Sequence, residues 1–210
     1  MVKIQYKIFG IREREWMVKE TQERLGIPDS DVFYDEKHTG NVYKIARTVW
    51  KKDLGDETHR CVLQDDAHVC DNFDEILHQA IEAHPYSIIT LFPGMFLHCS
   101  KPPVETPYVR TNLVCGVGIV MPKEYIDECF NWCDVNFPGM NYDDYAIQLW
   151  AERYNAEVIT ILPAILQHIG DKSTLSKMRI RRYEHYTDTP IGNWDSTWVI
   201  PKEESVIYRK

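Results

Sequence analysis

Apolar stretches of strand length alternate with stretches of helical period along most of this chain, and that alternation leaves few folds open. Val2, Ile4, Tyr6 and Ile8 occupy every second position, which predicts a strand. A helix is expected over residues 11–25, stopped by Gly26 and Pro28. After a short strand over 31–34, a helix is expected over 41–52. There Val42, Ile45, Ala46, Val49 and Trp50 make an apolar stripe, while Lys44, Arg47 and Lys51 share another face. Residues 61–64 read as the next strand. Asn72, with Glu75 three residues on, signals a helix whose buried stripe is Phe73, Ile76, Leu77, Ala80 and Ile81. Residues 86–92 read as a strand stopped by Pro93 and Gly94, and the proline-rich 101–107 as a surface loop. A further strand is expected over 111–121. Pro122 is then expected as the first residue of a helix carrying Ile126, Cys129, Phe130 and Cys133 inward. Asn141 is expected to cap a helix reaching about Tyr154, and a strand over 157–162 follows. Strands and helices in alternation predict an α/β fold with a mostly parallel central sheet flanked by helices.

At 210 residues the chain suits one domain, here residues 1–170, with an extension over 171–210 that packs on or over the active site. A net charge of −8 gives no general pull toward nucleic acid or an anionic membrane. The alternating N-terminus lacks the unbroken apolar run of a signal peptide. No stretch approaches the roughly 18 apolar residues of a spanning helix. The expectation is a cytoplasmic protein of a bacterium or a virus-infected cell. Its six scattered cysteines then read as reduced core residues, and Cys129 with Cys133 lacks the second pair that a zinc site needs.

The strand over 61–64 runs directly into Asp65 and Asp66, two hard oxygen donors of the kind that hold Mg2+ or Mn2+. Ligands of open α/β sheets sit outside the carboxyl ends of the strands, which is where this pair falls. Asp143 and Asp144 form a second acidic pair in the first turn of a later helix, where the helix dipole also favours them. His168 follows the last predicted strand and should leave the sheet at the same edge as Asp65 and Asp66. Trp194 and Trp198 suit either stacking on a sugar face or anchoring the tail.

Taken in order, Ile8 to Arg14, Val62-Leu-Gln-Asp-Asp-Ala67, the glycine-containing 114–120, Asn141-Tyr-Asp-Asp-Tyr145 and Gln167-His-Ile-Gly170 resemble the nucleotide-sugar glycosyltransferases of the GT-A fold. The likeness is to the lipooligosaccharide-type family 25 and its viral relatives. It implies a single GT-A-like, Rossmann-like domain. It implies that Asp66 and His168 ligate the metal that bridges the donor diphosphate, with Asp65 beside them toward the ribose or the metal's water shell. It places the catalytic carboxylate at Asp144 or Asp143, with Asp144 favoured. Arg12, Arg14 and Arg47 would lie near the nucleotide, and Lys172, Lys177 and Arg179 could fold over the diphosphate. Many relatives carry an acid before the aspartate pair; here Gln64 stands there, removing one negative charge from the site.

The expected activity is transfer of a sugar from a nucleoside diphosphate, UDP by family habit, to a hydroxyl, with Mn2+ or Mg2+ and with inversion. Such a reaction needs charge on the leaving diphosphate and a base at the acceptor hydroxyl, opposite the leaving group. A saccharide acceptor is the first expectation and a hydroxylated DNA base the second, for which the basic run Lys177 to Arg182 speaks. A sugar nucleotidyltransferase and an inert nucleotide- or protein-binding relative are the alternatives.

Overall fold

The computed structural model describes residues 1–36, 40–92, 108–161, 164–169 and 205–207. The elements follow the predicted alternation: β1 (Ile4–Gly10), α1 (Glu15–Leu25), β2 (Val32–Tyr34), α2 (Val42–Lys51), β3 (His59–Gln64), β4 (Ala67–Val69), α3 (Phe73–Ala83), β5 (Ile88–Thr90), β6 (Tyr108–Arg110), β7 (Gly118–Pro122), α4 (Lys123–Asn136), α5 (Asp143–Tyr154), β8 (Val158–Ile161), β9 (Leu166–His168) and β10 (Ser205–Ile207). An eight-stranded sheet has the order β10-β6-β8-β5-β7-β3-β1-β2, and β4 pairs with β9 in a separate two-stranded sheet. β1, β2, β3, β5 and β8 run in one direction, while β7 and β6 run against them and β10 follows β6. The fold is α/β with a mostly parallel central sheet flanked by helices, as the alternation predicts.

Both faces of the sheet are covered, which explains why the inner strands β3, β5, β7 and β8 carry continuous apolar runs. Cys61 and Leu63 of β3 point into a core with Ile8, Ile89, Val120 and Ile159, closed by α1, α3 and the β4–β9 pair. Val62, one residue out of phase, points into the opposite core with Phe9, Ile88, Ile119 and Met121, closed by α2, α4 and α5. The stripe predicted on α2 is buried at Ala46, Val49 and Trp50. Asn41 caps that helix, its side chain accepting the backbone N–H of Lys44 at 3.0 Å. α1 ends at Gly26 in the left-handed conformation, φ 63°, where a side chain would be strained.

Several boundaries differ from expectation. Residues 12–14 form a short 3-10 turn before α1 rather than its first turn. The strand expected over 111–121 is confined to β7, and 111–117 lead into it irregularly; β7 runs antiparallel between β3 and β5. Pro122 is the last residue of β7 and the N-cap of α4, not its first turn. Tyr142, not Asn141, is the N-cap of α5; the Asn141 side chain instead accepts Asn41 Nδ2 at 3.0 Å, joining the starts of α2 and α5. The β4–β9 pair falls in two segments for which the sequence predicts no element. Of the predicted extension, β10 adds to the edge of the main sheet beside β6, and 171–204 with 208–210 lie outside the described residues.

Arg60, on β3, is fully buried. Its guanidinium donates to the carbonyls of Trp50 at 2.6 Å, Lys52 at 2.8 Å and Asp53 at 3.1 Å, and to Glu57 Oε1 at 2.6 Å. A cation thus satisfies the orphan carbonyls at the end of α2 and favours its negative dipole end. Burial lowers the Arg60 pKa, and Glu57 opposes that shift. Arg60→Met should lower the unfolding free energy by about 3–5 kcal/mol, since Glu57 and several carbonyls lose their buried partner. Urea denaturation measures this, and a loss below about 1 kcal/mol would show that water replaces the guanidinium.

Candidate functional site

The carboxyl edge of the five co-directional strands carries Gly10, Tyr34, Gln64, Thr90 and Ile161. Gly10 ends β1 so close to Asp65 that a Cβ there would overlap the aspartate side chain. That close approach lets the backbone N–H of Ile11 donate to Asp65 Oδ2 at 2.9 Å. Arg14, in the 3-10 turn that follows, donates through one nitrogen to both aspartates, 2.9 Å to Asp65 Oδ1 and 2.5 Å to Asp66 Oδ2.

The β4–β9 pair brings in the histidine. Its register sets Ala67 opposite His168, and the Ile169 N–H donates to the Asp66 carbonyl at 3.0 Å. His168 Nε2 lies 2.9 Å from Asp66 Oδ2. Thr21 of α1 fixes the same turn through its hydroxyl, 2.6 Å from the Ala67 carbonyl. Asp66 is only 3% exposed, and its Oδ1 has no hydrogen-bond partner among the described residues. Burial pushes the Asp66 carboxyl up, but His168 and Arg14 outweigh it and hold the group below the usual carboxylate range. Asp65 goes the other way: burial, then the charge of Asp66, raise it despite Arg14.

Asp144 reaches the same edge from the first turn of α5. Its Oδ2 accepts the Gly116 N–H at 3.2 Å and its Oδ1 the Tyr145 N–H at 2.7 Å. A Cβ on Gly116 would lie 2.9 Å from Gln64 Nε2 and 3.2 Å from Asp144 Oδ2, so the glycine is where Gln64 and Asp144 come together. Burial raises the Asp144 pKa, opposed by these backbone donors. Asp143 faces inward instead. It is 1% exposed, and burial followed by the charge of Asp144 pushes its pKa up to about 8, with the Trp50 indole and neighbouring backbone N–H groups opposing the shift.

Arg12 stands at the rim with its guanidinium 4.0 Å from the Tyr34 ring centre and Nε 2.8 Å from Glu36. Arg47 is not gathered with this group: its guanidinium is held by Asp134 of α4, at 2.7 and 2.6 Å, tying α2 to α4. Lys172, Lys177, Arg179, Trp194 and Trp198 lie outside the described residues. The sequence signals Asp65, Asp66, Asp144 and His168 directly. The sequence shows Gly116 only as a glycine inside the strand expected over 111–121 and Gly10 only as part of Ile8 to Arg14, and nothing in the pattern shows that Arg14 bridges the aspartates.

Among the described residues no three His, Cys, Asp or Glu side chains gather as a metal cage. Asp66 and His168 do adjoin, and the unpartnered Asp66 oxygen beside an imidazole nitrogen is a donor set that fits Mn2+ or Mg2+. Mg2+ in particular is commonly held by one or two carboxylates with substrate phosphates and water completing its shell.

No protein-family model and no curated protein matches the chain. Among solved structures it is similar to an inositol-1-phosphate CTP transferase from T. maritima, at 10% identity and a TM-score of 0.38 over 76% of this chain. It spans 66% of that chain's length. No helix among the described residues is long and apolar enough to cross a membrane.

The raised pKa of Asp143 sets a pH dependence. A carboxyl whose folded pKa exceeds its unfolded value contributes stability that is complete below the unfolded value, about 4, and is lost as pH rises through the folded one. For Asp143 the loss runs from there to about 8. Asp143→Asn keeps a neutral group in place, so the variant should gain in melting temperature relative to the parent as pH rises across that window. Parallel melting curves at pH 5 and pH 8.5 would refute the assignment if the difference between the two proteins did not change.

Proposed function

We propose that this chain is a metal-dependent transferase of GT-A type that moves a sugar from a nucleoside diphosphate to a hydroxyl group. One observation carries the reading: Asp66, with its unpartnered buried oxygen, meets His168 and Arg14 at the same sheet edge where Gly116 holds Asp144. Asp66 and His168, the imidazole with its Nε2 deprotonated, would hold the divalent ion. That ion would supply positive charge to the departing diphosphate.

The chain's own residues account for the rest. Arg14 bonds both aspartates, offsetting one of their two charges, and so sets a guanidinium beside the proposed metal ligand Asp66. Arg12, exposed above Tyr34, offers a guanidinium and a ring at the exit of β1 and β2, suited to the nucleoside end of the donor. Asp144 serves as the general base. Two backbone N–H groups fix its orientation, and burial lifts its basicity above that of an exposed aspartate. A base acting from the face opposite the leaving group gives inversion. A saccharide is the proposed acceptor, with UDP as the proposed nucleotide. An acceptor hydroxyl on DNA would instead show transfer that falls steeply with added salt.

Thermal shifts with UDP-, GDP-, CMP- and dTDP-sugars, each with Mn2+, Mg2+ or EDTA, test the donor. One nucleotide should raise stability only with metal, by about 2.7 kcal/mol at a hundred times its dissociation constant. Asp66→Ala should abolish the metal-dependent part. Asp144→Asn should retain the shift yet lose roughly 10²–10⁴-fold in transfer rate. Metal-dependent binding unchanged in Asp66→Ala would sink the site. Pyrophosphate released from a nucleoside triphosphate would point to nucleotidyl transfer.

A further inference from the structure

The amino edge of the sheet, opposite the aspartates, holds a groove of about 440 Å3 formed by the turn into β5, the first half of α4 and the link from α5 to β8. That volume lies within the range of small-ligand sites. Its walls are aromatic. Tyr86 is 68% exposed and Tyr154 48%, an uncommon display for large rings at one place. Between them Tyr125 packs on Trp150 at 5.1 Å between ring centres, and Trp150 on Tyr154 at 5.4 Å. Trp150 is buried, and its indole N–H has no acceptor among the described residues.

Glu157, the central polar group of the groove, is held from three sides. Glu157 receives Arg110 Nε at 2.6 Å on one oxygen, and the Ser87 hydroxyl and His84 Nδ1 on the other. Asn155 is held in the left-handed conformation at the end of α5, φ 54°, which places its amide at the groove. Arg110 neutralises Glu157, and no lysine or arginine is among the lining residues. A phosphate or a nucleic acid meets only the Glu157-bound Arg110 here, while Glu128 is the one lining carboxylate outside that ion pair, so a cationic ligand is the rival that the test has to separate.

Exposed ring faces beside anchored hydrogen-bonding groups suit a molecule with an apolar face and a hydroxylated rim. We propose that this groove binds a sugar unit of a neutral oligosaccharide, with Tyr86 and Tyr154 against its faces and Glu157, Asn155 and Glu128 toward its hydroxyls. The groove and the aspartates lie at opposite ends of the sheet, the groove where β5 and β8 begin and the aspartates where β3 ends. The inference rests on the groove alone. In a glycosyltransferase the groove would hold a remote part of the acceptor, but binding there needs neither metal nor donor.

The test is a titration of the uniformly 15N-labelled full chain with maltopentaose, cellopentaose and chitopentaose up to about 10 mM, which detects millimolar affinity. At least one sugar should shift the Trp150 indole and Asn155 amide signals. Tyr86→Ala with Tyr154→Ala should weaken that binding at least tenfold, about 1.4 kcal/mol, whereas Asp66→Ala should leave it unchanged. Both tyrosines are exposed, and the Tyr125 hydroxyl bonds the Tyr86 backbone carbonyl, so the double variant should fold. Tyr154→Trp, which keeps a ring face, should retain binding. Three outcomes would overturn the proposal: no shift with any of the three sugars, undiminished binding by the double variant, or groove shifts produced by tetramethylammonium chloride and not by sugar. Loss of the metal-dependent nucleotide shift leaves this result untouched, so the two readings fail separately.

Discussion

Two adjacent aspartates buried at the end of a central strand cannot both remain charged unless cationic or hydrogen-bonding groups meet them, because removing a carboxylate from water costs several kcal/mol. Arg14 meets both with a single nitrogen, and the surrounding backbone is arranged to let it. β1 must end in Gly10 so that the chain can pass Asp65 closely. The 3-10 turn then bends back over the pair, and Thr21 of α1 secures the turn beyond it. The β4–β9 pair supplies His168 on the far side of Asp66. Asp65 and Asp66 divide accordingly. The first is used up in holding backbone and guanidinium, while the second keeps one buried oxygen that nothing in the described chain satisfies.

The layer architecture was legible because it depends on period. With both faces of the sheet covered, β3 is apolar at successive positions, and β-strand alternation assigns Cys61 and Leu63 to one core and Val62 to the other. The helical stripes of α2 and α3 are likewise local statements. What the pattern could not convey is pairing between distant segments. β4 and β9 are three residues each, and β4 follows two aspartates, so both look like loop until their register is seen. The same holds for β7, whose antiparallel course between β3 and β5 is a matter of topology rather than composition.

Charged residues were the other blind spot. Arg60 and Lys7 are charged residues in strands, yet both are fully buried, Arg60 at the end of α2 and Lys7 on Asp31 at 2.7 Å. Asp143 and Asp144 share the first turn of a helix, where local pattern does not separate them and only the family resemblance favours Asp144. The fold separates them by one helical step: Asp143 turns into the core and Asp144 toward Gly116. Arg47, grouped by sequence with the nucleotide-facing cations, serves a helix–helix contact. In each case the decisive fact is which neighbour the side chain meets, a property of tertiary packing.

The fold also explains why the two ends of the sheet have such different chemistry. At the carboxyl edge the starts of α2 and α5 come together through Asn41 and Asn141, so two positive dipole ends lie at the same edge as Asp144 and its partner Gly116. At the amino edge the negative end of α2 is neutralised internally by Arg60, and Glu157 at the start of β8 by Arg110. Charge is therefore concentrated where the strands end and offset where they begin. Under the proposed reading, a metal held by Asp66 and His168 would let the acidic edge take an anionic ligand, and the aromatic groove would take one recognised by shape and hydroxyl groups. A chain with the same sheet but without Arg60 and Arg110 would spread uncompensated negative charge across both ends and lose that distinction.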